Sequence, residues 1–473
     1  MNYIISCFLV FISIILMLIF GIIPFDWYLF PFAFGGILTL SKILGILRSR
    51  AYLRNTFFYV WITLFLTVFI APLIHFSRDY WITHVYIEPS NWNTLALTMS
   101  WILLYGVFVF YFLESFPIKP YIQKRLWVFK NYAGAFVIIL MIISFVLQTV
   151  YYIRTGGMTG MIRAYTEREG TEDSFAGLGF YFIFSEMFPY LLLLLYFIVR
   201  QKKKTSFLNV LIFLTVMFIS AMYFGGLRGS RSNTVFTMFQ AVLLIHFTIY
   251  RFNKTHFISM IAAFFLFMII GRIYKNEGEE LVKNYAHYED YRINQSMSGM
   301  ESIIINDLTR YNIVAYEIFL LENNSFYKPK SGTTYLSSFL TFMPFGTQVR
   351  DYFHITSRTE AASQLMYDYD GQQRSNYRKS TRIFGFIGEA MLNFGFLSFF
   401  FSFFVVCYLL KLVGRWGDSI STSDARIYFI ALLPLIVIFF INMDSTNMLL
   451  FVVKRVITMY IILWFITYKI KIQ

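Results

Sequence analysis

Residues 133–153 read AGAFVIILMIISFVLQTVYYI, an apolar run without one charged residue. At about 1.5 Å of helical rise per residue, such a run crosses the ~30 Å hydrocarbon layer of a bilayer. Outward from it, stretches of the same character lie at 3–23, 27–47, 57–75, 94–114, 178–199, 206–225, 233–250, 256–274, 383–413, 425–442 and 447–469. This pattern predicts an all-α polytopic membrane protein of about 12 transmembrane helices. The stretch opening at 383 has room for a re-entrant or interfacial piece at its start. The first follows Met1-Asn2 with no basic residue and no small-residue cleavage site, so a retained helix is expected there rather than a signal peptide.

Composition supports the pattern. Of 473 residues, 58% are hydrophobic and only 14% charged, against about 25% charged in soluble domains. Soluble enzymes, secreted disulfide scaffolds and disordered chains are thereby set aside. The two cysteines, Cys7 and Cys407, sit in apolar runs and are expected to pack rather than pair.

The net charge of +14 acquires meaning from its location. Arg48, Arg50 and Arg54; Lys119, Lys124, Arg125 and Lys130; Arg200 and Lys202 to Lys204; Arg251 and Lys254; Lys411, Arg415 and Arg426; Lys469 and Lys471 occupy alternate connections. The remaining short connections carry little excess. The basic set is expected on the cytoplasmic side, with both termini. The excess positive charge then faces anionic lipids, and nucleic-acid binding is not expected. Residues 275–382 form one long connection on the opposite side, with 12 basic and 13 acidic residues. The chain therefore reads as 1–274, 275–382 and 383–473: nine helices, a large extracytoplasmic loop and three helices. That loop is too rich in Tyr, Phe and Ile for a solvated linker. Met300–Leu321 has a helical rhythm, residues 334–346 suit the membrane interface, and together they predict a helical outer cap over a cavity.

Charges near or inside apolar runs are candidate functional groups, because lipid penalises them. Gly225-Gly226-Leu227-Arg228-Gly229-Ser230-Arg231 turns between two spans with almost no loop. Its glycines permit a close backbone approach, and its arginines suit an anion, although snorkelling at the interface is the alternative. Lys454 and Arg455 lie within the last span, behind Asp444-Ser445-Thr446-Asn447. They suit an anionic partner, or else an internal ion pair with Asp444 or Glu389. Arg378, Lys379 and Arg382 precede Gly385-Phe386-Ile387-Gly388-Glu389, in which Glu389 and Asn393 share one helix face. Glu389 there reads equally as a proton carrier or as half of a packing pair. Arg272 with Lys275 ends another span, as a site or an anchor. His354 and Glu360 are six residues apart in the loop, within acid–base range of plausibility. Asp368-Tyr369-Asp370 has the spacing of a metal-holding pair but is short, and His287 has no partner at zinc-ligand spacing.

These residues, with Phe188-Pro189-Tyr190, Leu392-Asn393-Phe394-Gly395 and Asp444, resemble the Wzy-type O-antigen and oligosaccharide repeat-unit polymerases. The resemblance covers most of the chain as topology and about thirty residues as motif. It implies a fold similar to GT-C membrane glycosyltransferases in a bacterial inner membrane. It also implies transfer of a growing glycan from one undecaprenyl diphosphate to another lipid-linked repeat unit at the outer leaflet, without metal or other cofactor. A chain-length regulator and a flippase are the partners it suggests. In that setting Arg228, Arg231, Arg272, Arg382, Lys454 and Arg455 would hold the diphosphate and stabilise its developing charge. Glu360, Glu389 and His354 are the candidate bases, and loop aromatics such as Tyr335, Tyr352, Phe353, Tyr367 and Tyr377 could stack on sugars. A glycan ligase shares these features. A transporter or flippase suits the span count, but the two halves show no similarity to each other.

Overall fold

The computed structural model describes residues 29–49, 52–78, 81, 89–116, 121–154, 184–201, 203, 205–226, 231–267, 303–309, 311–324, 327–343, 345–367 and 385–471. The expected span 3–23, Arg228, Arg272, Lys275, His287, Asp368, Asp370 and Arg378 to Arg382 lie outside these residues, and Arg231 is described in its backbone alone.

The architecture is helical. Among the described residues, seven helices are long and apolar enough to cross a membrane: α1 (Leu29–Leu47), α2 (Thr56–Ser77), α3 (Trp92–Ser115), α4 (Ala133–Arg154), α6 (Phe207–Gly225), α14 (Phe396–Ser419) and α16 (Ser445–Ile466). Shorter apolar helices are α5 (Phe188–Arg200), α7 (Arg231–Thr248), α8 (Lys254–Phe267) and α15 (Leu433–Asn442). The long connection contributes α9 (Tyr311–Asn323), α10 (Thr333–Leu340), α11 (Gly346–Tyr352) and α12 (Arg358–Tyr367). The expected span 383–413 is divided: α13 (Gly385–Phe394) ends at Gly395, whose φ of +83° turns the chain before α14 begins. That left-handed conformation is one only glycine adopts without strain.

The chain divides into two compact units that cut across the three sequence segments. One comprises Met1–Tyr121, Glu301–Asp418 and Leu433–Phe451; the other, Ile122–Met300, Ser419–Leu432 and Val452–Gln473. In the first unit α1 packs on α2 and α3, α15 on α2, and α9 on α3. A Cβ added at Gly35 would lie 2.4 Å from Val68 Cγ1, and one at Gly36 would lie 2.5 Å from the Phe69 ring. Small residues thus let two apolar helices approach where hydrophobic exclusion does not drive them together. Lys42 pairs with Glu114 at 2.7 Å, and Lys411 donates to the carbonyls of Leu113, Glu114 and Phe116. A single ammonium so satisfies carbonyls left open at the end of α3.

In the second unit α5 packs on α4, α6 and α7. An element not anticipated is a two-stranded antiparallel ribbon of β1 (Arg125–Phe129) and β2 (Thr467–Lys471), with Arg125 opposite Lys471 and Phe129 opposite Thr467. The expected span 447–469 therefore stops being helical at Ile466. Lys469 and Lys471 alternate with Tyr468 and Ile470 there, a period of two that suits an exposed strand. Asp424, fully buried, anchors the ribbon. It accepts hydrogen bonds from Gln123 Nε2 at 2.6 Å, from the Trp127 N–H at 3.2 Å, and from the backbone N–H and guanidinium of Arg426. The Arg426 guanidinium in turn lies 5.3 Å from the Trp127 ring centre.

Removing one partner of a buried ion pair typically costs about 3–5 kcal/mol, because the other charge is stranded. Asp424→Ala is therefore expected to lower the melting temperature in detergent by several degrees. An unchanged thermal transition would show that Asp424 does not hold the ribbon.

Candidate functional site

The first unit contains a buried polar cluster assembled from three separate stretches. Gly385, with φ +72°, opens α13 against the Asn442 carbonyl, where an added Cβ would approach to 3.4 Å. One turn later Glu389 projects inward and is 1% exposed. Its Oε1 accepts from Thr334 Oγ1 of α10 at 2.8 Å and from Ser445 Oγ of α16 at 2.6 Å. Its Oε2 accepts from the Ser445 N–H at 2.5 Å. A carboxylate offers about four lone-pair positions, and among the described residues three donors reach this one. Asn393, one turn further on α13, donates to Thr334 Oγ1 at 2.6 Å and to the Glu389 carbonyl at 2.8 Å. The shared helix face foreseen for Glu389 and Asn393 is thus joined through Thr334.

The start of α16 supplies the remainder. Asp444 accepts from the Asn447 N–H at 3.0 Å, the bond of an N-cap residue, and pairs with Arg358 of α12 at 3.2 Å. Its negative charge at a helix N-terminus is favourable in itself. Ser338 Oγ reaches Ser445 Oγ at 2.7 Å and Thr446 Oγ1 at 2.6 Å. Two helices of the long connection, α10 and α12, are so bonded to α13 and to the head of α16.

Glu317 of α9 joins this cluster without being foreseen. It is fully buried, and neither carboxyl oxygen has a hydrogen-bond partner among the described residues. Burial pushes its carboxyl well above the usual range, and the Glu389 carboxylate pushes the same way. The same environment raises the Tyr327 and Tyr335 hydroxyls, burial first and the neighbouring carboxylates second. Beside α9, Trp81 stacks between His75 at 5.0 Å and Trp92 at 5.2 Å, and Tyr311 donates to the Ala96 carbonyl.

The two remaining expected bases have other roles or settings. Glu360 accepts from the Ser357 N–H at 2.7 Å while Ser357 Oγ accepts from the Glu360 N–H at 3.2 Å. That reciprocal pair is a capping box at the start of α12. His354 is exposed, in a left-handed conformation with φ +50°.

In the second unit, Lys454 and Arg455 sit in a π-helical turn, Val452–Ile457, of the kind that often marks functional sites. Lys454 forms an ion pair with Glu186, rather than with Asp444 or Glu389 as weighed from sequence. Arg455 is buried, its guanidinium 4.8 Å from the Tyr190 ring centre and 6.0 Å from that of Phe236. Tyr190 is fixed by Thr237, whose hydroxyl donates to Tyr190 Oη at 3.0 Å. The helix α5 that carries Tyr190 begins at Phe188-Pro189, a position that suits proline. Of the six expected diphosphate-binding cations, Lys454 and Arg455 alone have described side chains.

Thr334, Arg358, Ser445, Glu317 and Glu186 were not singled out by sequence. Asp444-Ser445-Thr446-Asn447 did carry a readable N-cap signal. Glu186 lies two residues before Phe188-Pro189-Tyr190, and Glu317 is a lone carboxyl inside the helical run Met300–Leu321. Among the described residues, no group of three or more His, Cys, Asp or Glu could hold a metal ion.

The folded chain retains the Glu317 proton at pH values where the unfolded chain has released it. Stability is therefore expected to fall as pH rises above the ordinary glutamate range, until the raised folded value is passed. Glu317→Gln preserves the shape and removes the titration. The melting temperature of that variant is expected to drop less than that of the parent between about pH 5 and about pH 8. Equal drops would show that Glu317 is charged in the folded chain.

No protein-family model, no curated protein and no solved structure matches the chain.

Proposed function

We propose that this chain is a membrane glycan polymerase of GT-C-like, twelve-span architecture with both termini cytoplasmic. It transfers a growing glycan from one undecaprenyl diphosphate to the non-reducing sugar of a second lipid-linked repeat unit, on the outer leaflet of a bacterial inner membrane. The observation that carries this reading is the coordination of Glu389. Residues on which the resemblance to repeat-unit polymerases rests, Gly385 to Gly395 and Asp444, come together around one buried carboxylate.

In this reading Glu389 removes the proton of the acceptor hydroxyl. The hydroxyl oxygen bonds to the anomeric carbon of the donor glycan. The bond from that carbon to the diphosphate oxygen breaks, and its electron pair leaves with undecaprenyl diphosphate. Ser445 and Thr334 orient the carboxylate without neutralising it. Arg455, with the remaining expected cations Arg228, Arg231, Arg272, Arg382 and Lys454, takes up the charge that grows on the leaving diphosphate. The aromatic rings beside Arg455 restrain a guanidinium whose planar fork fits phosphate, so lysine is a poor substitute there.

Purified chain supplied with lipid-linked repeat units is expected to yield long products, with and without EDTA. Glu389→Gln is expected to slow elongation by about 10²–10⁴-fold, the usual contribution of a positioned base. Arg455→Ala and Arg455→Lys are both expected to shorten the products sharply while the protein stays folded in the membrane. Normal chain lengths in Glu389→Gln would overturn the role of this carboxylate. Movement of lipid-linked glycan across the bilayer without elongation would overturn the polymerase reading in favour of a carrier.

A further inference from the structure

The helix α10, expected at the membrane interface, turns its polar side inward and its apolar side outward. Thr334, Ser337 and Ser338, at i, i+3 and i+4, are buried. Two of them hydrogen-bond to Glu389, Ser445 and Thr446. Leu336 and Phe339 on the opposite face are 47% and 51% exposed. A helix lying between a core and water shows the reverse polarity. The exposed apolar surface continues through Met343 to Phe345, whereas α11 exposes Gln348 and Asp351 beside Tyr352 and Phe353. The connection is tight: a Cβ added at Gly346 would lie 1.7 Å from the Leu340 carbonyl oxygen, so α10 and α11 form one closed hairpin. Phe345 adopts a left-handed φ of +62° and still points its ring outward, 76% exposed.

What covers this face is given by its continuation. The Tyr335 ring stacks on Phe394 at 6.3 Å. Phe394 is itself exposed and leads into Leu397 and Phe401 on the outward face of α14. That helix is long and apolar enough to cross a membrane, and its outward phenylalanines form an exposed apolar surface. The Tyr335–Phe394 contact joins the outward face of α10 to that surface.

We infer that the outward face of α10 and of the turn after it, carried by Leu336, Phe339, Met343 and Phe345, is embedded in the hydrocarbon layer of one membrane leaflet, with lipid acyl chains as its partner. The helix α10 is then a lipid-facing element rather than a lid in water. Its buried polar face holds Glu389 while its apolar face is solvated by the bilayer. The inference concerns placement alone and is independent of the proposed activity.

The test uses the full chain in nanodiscs of phosphatidylethanolamine and phosphatidylglycerol, in a Cys7→Ser, Cys407→Ala background. Nitroxide labels are attached to single cysteines in Leu336→Cys, Phe339→Cys and Phe345→Cys. Phe401→Cys serves as the hydrocarbon reference and Lys328→Cys as the water reference. Power saturation compares collision with dissolved oxygen, which partitions into lipid, against collision with a neutral nickel chelate, which stays in water. The three hairpin labels are expected to favour oxygen, as the label at 401 does. Preference for the chelate, matching position 328, would place the face in water and overturn the inference. Protection from both probes would mean that a protein surface covers the hairpin, which overturns it equally. The three positions report separately, so the misfolding of one variant leaves the others decisive.

Discussion

A carboxylate removed from water must find its donors in the protein, and Glu389 obtains them from two segments far from it in sequence. Thr334 belongs to the long connection and Ser445 to the head of the last span. Neither segment has another reason in its own sequence to meet the other. The cluster therefore ties α10, α13 and α16 together more specifically than apolar packing does in lipid, where hydrocarbon competes equally for every Leu and Phe. Asn393 and Arg358 extend the tie, the first by bridging Thr334 to α13, the second by neutralising Asp444 from α12.

The same constraint organises the second unit with different chemistry. Lys454 is balanced by Glu186, and Arg455 lies against the faces of Tyr190 and Phe236. Aromatic faces stabilise a guanidinium through its π contact. Asp424 and Arg426 repeat the arrangement beside the β-ribbon, where Trp127 covers the guanidinium and the carboxylate is saturated with donors. Saturation there suits a structural joint.

Glu317 shows the cost of such a site. A carboxyl group buried without partners is tolerated only in its neutral form, and its proximity to Glu389 gives the cluster a second titratable group. The inverted polarity of α10 follows from the same need. Its hydroxyls are required inside, at Glu389 and Ser445, which leaves its apolar side to face outward, an arrangement that the proposed contact with lipid would stabilise.

By itself, the sequence determined the class of molecule. Runs such as 133–153 are legible because lipid demands a long uncharged stretch, a rule local to the chain. The Gly385-to-Gly395 segment, the buried cations of the last span and the helical character of the long connection could be read for the same reason. Tertiary structure alone decided the partners. Lys454 pairs with Glu186 and not with Asp444, Asp444 pairs with Arg358, and Thr334 and Ser445 meet at Glu389. The ribbon of residues 125–129 with 467–471 and the break at Gly395 were equally hidden. Each depends on contacts between residues tens to hundreds of positions apart, or on a backbone angle that many sequences tolerate, and neither leaves a periodic trace along the chain.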